Sequence, residues 1–216
     1  MSKKKKLLLM ILLFGSLWGG LEAIITDSMA GAGGAISRSV ILAGVALALL
    51  TYARSILPLR GTTLAIGAVA ACFKFLGLPT LYTCQLAGVI GQAIVLEAAW
   101  SLAESRGWAR RQLPLALVVI VSGFVNAATF CFSQAFIFRN HWWLDRGVAG
   151  LTNWVITDGA LAAFAGLIGF TLARLAVARS SEWLTQFATT RQGAYQRMAI
   201  SISLGCWIIG AVVQQF

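Results

Sequence analysis

The sequence predicts an all-α, polytopic transmembrane helical bundle of six or seven spans with a cytoplasmic N-terminus. Three observations carry this. Of the 216 residues, 59% are hydrophobic and 11% are charged, against about 25% charged in an ordinary soluble domain. Mean hydropathy is +0.82, more apolar surface than a soluble chain of this size can hide from water. The apolar runs are continuous over roughly 20 residues, the length that crosses a bilayer as a helix, and lack the alternation of a membrane β-barrel. This composition excludes a secreted disulfide scaffold, a disordered tail and a soluble enzyme.

A single integral membrane domain, 1–216, holds the candidate spans. The first, 7–25, follows Lys3, Lys4, Lys5 and Lys6. That start resembles a secretory signal peptide, with Ser28, Met29 and Ala30 as a cleavage site, but the stretch is long and carries Glu22 and Asp27, so it is read as a retained span. Spans at 39–57, 61–78, 80–102, 115–138 and 151–175 follow. The last, 198–213, is the shortest, and it either spans or is re-entrant. Between the last two, the segment 180–197 mixes Trp183, Phe187 and Tyr195 with Glu182, Arg191 and Arg197, which suits an interfacial helix or a solvated loop.

Basic residues orient the bundle. With the N-terminus inside, thirteen of the seventeen Lys and Arg residues fall on the cytoplasmic side, three (Arg38, Arg139, Arg146) fall outside, and Lys74 lies within a span. The formal charge of +10 is thus a topology signal and not a nucleic-acid footprint. The expected location is a bacterial-type inner membrane, with the lipid bilayer as the first partner. Cys72, Cys84, Cys131 and Cys206 all lie in apolar runs and are read as buried small hydrophobes. With one histidine, His141, the chain offers no zinc constellation and implies no cofactor.

An ionisable side chain in hydrocarbon is costly and asks for a partner or a purpose. Glu22, Lys74 and Asp158 all fall in the outer half of their spans, with Gln85 and Gln92 on the fourth span and Asn126 on the fifth. These six are the candidate substrate-binding residues. Helical spacing sharpens the picture. Gly15, Gly19 and Glu22 share a face, as do Gly67, Ala71 and Lys74. If these small faces meet, Glu22 and Lys74 come to one depth and can pair. Asp158, Ala162, Ala165 and Gly169 form a similar face on the sixth span, and Ser122, Asn126, Thr129 and Ser133 a polar stripe on the fifth. Glu97, near the inner end of the fourth span, is expected to reach the interface toward Arg106. Together these faces imply an outward-opening polar cavity, in which Glu22 or Asp158 takes a cationic group and Lys74 an anionic one.

The stretch Gly15-Ser16-Leu17-Trp18-Gly19-Gly20-Leu21-Glu22 and the alanine-rich third span (Ala65, Ala68, Ala70, Ala71) resemble the substrate-binding (S) components of energy-coupling-factor vitamin transporters. Such components have six spans with both ends cytoplasmic, so a seventh span with an outer C-terminus departs from the pattern. The resemblance implies a membrane-embedded solute binder energised by a transmembrane coupling subunit and ATPases. The chain itself lacks a G-x-x-x-x-G-K-[ST] phosphate loop. Two other readings stand beside uptake. One is a structural or assembly subunit whose polar groups cross-link helices. The other is an intramembrane lipid-modifying enzyme using His141 and Asp145 as acid and base, with Arg139 and Arg146 on a phosphate. The outer loop 139–146 packs Trp142 and Trp143 among charges, as an interfacial anchor or as a lid.

Overall fold

The computed structural model describes residues 2–28, 38–76, 83–108 and 111–213, with backbone only at 3, 38, 83–85 and 181–190. Among the described residues all regular structure is helical: α1 (Lys3–Ser28), α2 (Arg38–Ile56), α3 (Thr62–Cys72), α4 (Thr83–Ser105), α5 (Gln112–Phe132), the single turn α6 (His141–Leu144), α7 (Gly147–Thr190) and α8 (Gln192–Val213). A 3-10 turn, Phe73–Phe75, continues α3, and a π turn, Ser133–Ile137, continues α5. Six helices are long and apolar enough to cross a membrane; the exception among the apolar helices is Thr62–Phe75. Its length is roughly 22 Å at 1.5 Å per α-helical and 2.0 Å per 3-10 residue, short of a hydrocarbon core of about 30 Å. The third candidate span, 61–78, is therefore a short helix among long ones, and its residues 77 and 78 lie outside the described set.

Small residues set the packing. Gly15 and Gly19 of α1 lie against Val69 and Phe73 of α3, so these two helices run side by side in the same direction. A methyl at Gly15 would stand 2.9 Å from the Ile66 carbonyl oxygen. Gly44 and Ala48 of α2 meet Ala165 and Gly169 of α7. Gly123 of α5 backs onto Ala163 of α7, and Gly67 of α3 onto Ala93 of α4. The helix α8 joins the outside of the bundle on α1, where the Trp207 indole donates to Ser16 Oγ at 3.1 Å and its ring lies 4.2 Å from that of Phe73. Between these seams sits one main core, including Phe14, Trp18, Leu47, Leu50, Ile66, Leu96, Leu115 and Tyr195. The outward faces are as apolar as the core: Leu117, Phe164 and Leu172 are each more than half exposed. Backbone satisfied within helices and apolar faces turned outward are what lipid requires of its solute.

Two expectations are corrected here, on the segment 180–197 and on Cys72. The segment 180–197 is not a separate interfacial element. Helix α7 continues unbroken to Thr190, and α8 begins at Gln192, because 176–190 contains neither Gly nor Pro to stop it. Polarity changed there, helix propensity did not. Helix α1 packs into the bundle through seams to both α3 and α8. Cys72 is exposed on the outer stripe of α3, with Leu64 and Phe75, while Cys131 is buried as expected; Cys84 has no described side chain.

Candidate functional site

A cavity of about 250 Å³ opens between α1, α2, α4, α5 and α7, in the half of the bundle away from the N-terminal lysines. Each helix contributes residues one turn apart. They are Trp18, Glu22 and Thr26 from α1; Gly88 and Gln92 from α4; Asn126 and Phe130 from α5; Trp154, Asp158 and Ala162 from α7. Ser39, Leu42 and Ala43 close the α2 side. A much smaller void continues inward past Gln92, Ser122 and Asn126.

Four of the six candidate residues therefore share one cavity: Glu22, Gln92, Asn126 and Asp158. Lys74 stands behind the wall. Its Nζ lies 2.8 Å from Glu22 Oε1, with both side chains at least nine-tenths buried. The meeting of the α1 and α3 small faces produces this pair, as the helical spacing implied. Glu22 follows Gly19 by three residues and Trp18 by four, so it sits at the edge between the α3 seam and the cavity wall. Its second oxygen, Oε2, has no hydrogen-bond partner. Because Lys74 does not line the cavity, its expected role as the anion-binding group is corrected: it is the counter-ion of Glu22. The side chain of Gln85 lies outside the described residues.

The other polar groups have definite partners or none. Gln92 donates from Nε2 to the Ala43 carbonyl at 3.1 Å, tying α4 to α2. Among the described residues Asp158 accepts only a long hydrogen bond from the Thr157 hydroxyl, 3.4 Å. The fifth-span stripe is not one functional face. Ser122 donates to Val118 O and Ser133 to Phe130 O, the local satisfaction hydroxyls find in a helix. Thr129 faces outward, leaving Asn126 as the stripe's group in the main cavity. The sixth-span face divides too: Asp158 and Ala162 line the cavity, while Ala165 and Gly169 pack on α2.

Residue-by-residue polarity missed the aromatic walls. Phe130 and Trp154 stand 6.0 Å apart, and Trp143 of α6 packs edge-on to both, at 5.7 Å and 4.9 Å. A signal for them exists. Trp18, Trp154 and Phe130 each lie four residues from Glu22, Asp158 and Asn126 respectively, so an aromatic is stacked one turn from each polar group. The two tryptophans of the outer loop have separate fates. Trp143 is buried and buttresses the cavity wall, whereas Trp142 is 57% exposed, with the Arg146 guanidinium 3.8 Å above its ring. His141 and Asp145 are exposed, and no side-chain hydrogen bond joins them.

A second polar cluster occupies the opposite, basic end. Glu97 does not reach toward Arg106, which lies over Trp108. Instead it caps α3. Its Oε1 accepts from the Gly61 amide at 2.8 Å, and its Oε2 from the Thr63 amide at 3.1 Å and from the Thr63 hydroxyl. A carboxylate at a helix start answers both the orphan amides and the helix dipole. Arg54, one of the basic residues counted on this side, is 1% exposed and pairs with Glu104 at 2.8 Å and Glu97 at 3.7 Å.

No known protein family, no curated protein and no solved structure matches this chain.

Proposed function

We propose that this multi-pass membrane protein binds a small polar or charged solute in the α1/α2/α4/α5/α7 cavity for uptake. The observation that supports the reading best is convergence. Four polar side chains from four helices, each expensive in hydrocarbon, line one cavity instead of being scattered as separate cross-links. A pocket with apolar walls and a few polar groups is the usual form of a small-molecule site. About 250 Å³ lies close to the lower end of the roughly 300–1,000 Å³ range of small-molecule pockets, which suits a small metabolite.

The Lys and Arg distribution supports a cavity mouth on the outer side of the membrane, read here as a bacterial-type inner membrane. Energy then comes from partners, in the manner of the energy-coupling-factor S components that the α1 stretch resembles: a transmembrane coupling subunit and ATPases. Native mass spectrometry of the gently extracted protein tests this. The expected result is a retained small molecule, lost in Ala162→Trp, where the indole fills the cavity, together with co-purifying ATPases. A stable assembly with unrelated membrane subunits and no small molecule overturns the uptake reading in favour of a structural subunit.

A further inference from the structure

The charge balance of the cavity narrows the ligand. Two carboxylates line it, Glu22 and Asp158, and among the described residues no Lys or Arg does. Glu22 is already compensated by Lys74 at 2.8 Å. Among the described residues Asp158 has no ion pair, and its one side-chain hydrogen bond is the 3.4 Å approach of the Thr157 hydroxyl. Among the described residues the walls therefore carry one negative charge without a counter-ion in a largely apolar lining, a setting that favours a cation. With Gln92 Nε2 engaged by Ala43 O, the carbonyl oxygen of that amide is left to accept. Three aromatic rings, Trp18, Phe130 and Trp154, complete the lining. Their faces attract a cation and tolerate an apolar body. Among the described residues nothing equivalent serves an anion, since Lys74 is behind the wall. Nor does the cavity suit a metal ion: among the described residues no group of three or more His, Cys, Asp or Glu side chains could hold one.

We infer that the ligand is a monovalent organic cation with an apolar or aromatic body, with Asp158 as its counter-ion and Trp154 and Phe130 flanking the charge. This rests on the solute-binding reading above and names its substrate class.

The test uses the full chain in lipid nanodiscs and three probes of matched size: benzyltrimethylammonium, its uncharged carbon isostere neopentylbenzene, and the anion phenylacetate. Calorimetry and tryptophan fluorescence report binding. The expected result is saturable binding of the ammonium probe alone, weakened at least tenfold in Asp158→Asn and largely kept in Asp158→Glu. Thermal unfolding of both variants separates a lost counter-ion from a lost fold. Equal binding of neopentylbenzene or phenylacetate, or an Asp158→Asn affinity equal to wild type, overturns the cation assignment while the solute-binding reading stands. If no probe binds, the cation assignment falls. The solute-binding reading falls with it only if native mass spectrometry also finds no retained small molecule.

Discussion

Changing Lys74 to Met removes the charge from the buried pair while keeping a side chain of similar length. At 2.8 Å and an effective dielectric near 20, the direct attraction is roughly 6 kcal/mol. Desolvation of the two ions offsets much of it, so the intact pair contributes little net stability. The single variant is different. Glu22 would be left buried beside Trp18 and Phe73, with Oε2 already lacking a partner. Breaking a buried pair from one side costs about 3–5 kcal/mol. The assay is reversible unfolding in mixed micelles by dodecyl sulfate titration, followed by circular dichroism, on wild type, Lys74→Met, Glu22→Gln and the double variant. Each single variant is expected to lose about 3–5 kcal/mol and the double variant less than either. Additive losses in the double variant, or singles within about 0.5 kcal/mol of wild type, would refute the coupling.

Four further outcomes follow from the geometry. A methyl at Gly169 would stand 2.6 Å from the Gly44 carbonyl oxygen, so Gly169→Ala should cost about 1–3 kcal/mol in the same titration. Gly61 has φ of +83° ahead of α3, so Gly61→Ala should cost about 1–2 kcal/mol despite open space around it, and a neutral result in thermal unfolding would contradict this. Glu97→Ala strips the α3 cap and one partner of Arg54 and should cost about 3 kcal/mol or more, whereas Glu104→Ala, at a quarter-exposed site, should cost less. Trp143→Ala should lose about 3–5 kcal/mol and loosen solute binding, while Trp142→Ala should stay within about 0.5 kcal/mol; equal losses would remove the distinction between buttress and anchor.

The spans were legible because lipid demands long uninterrupted apolar runs, and that demand is written residue by residue. Their ends were not. Helix α7 runs on through a polar segment because nothing there breaks a helix, and α3 stops short although its apolar run continues. The Glu22–Lys74 pair was readable from two glycine- and alanine-lined faces at matching depth, and Asp158 from its position two turns inside a span. The serine and threonine stripe misled because a hydroxyl can bond its own helix, so polarity alone does not say which face looks into a cavity. For Arg54, counting charges gives the end of the bundle but not the burial, and only the fold shows Glu97 and Glu104 beside it on α4.

The brevity of α3 has a consequence for the lipid beside it. Its exposed stripe, Leu64, Cys72 and Phe75, belongs to a helix of roughly 22 Å where the surrounding bilayer offers about 30 Å. A helix shorter than the hydrocarbon around it is met by local thinning of the bilayer, by flanking side chains that reach for the interface or by association with a longer neighbour. The flank of the bundle that α3 occupies is thus the one where lipid or a partner helix must adapt to the protein.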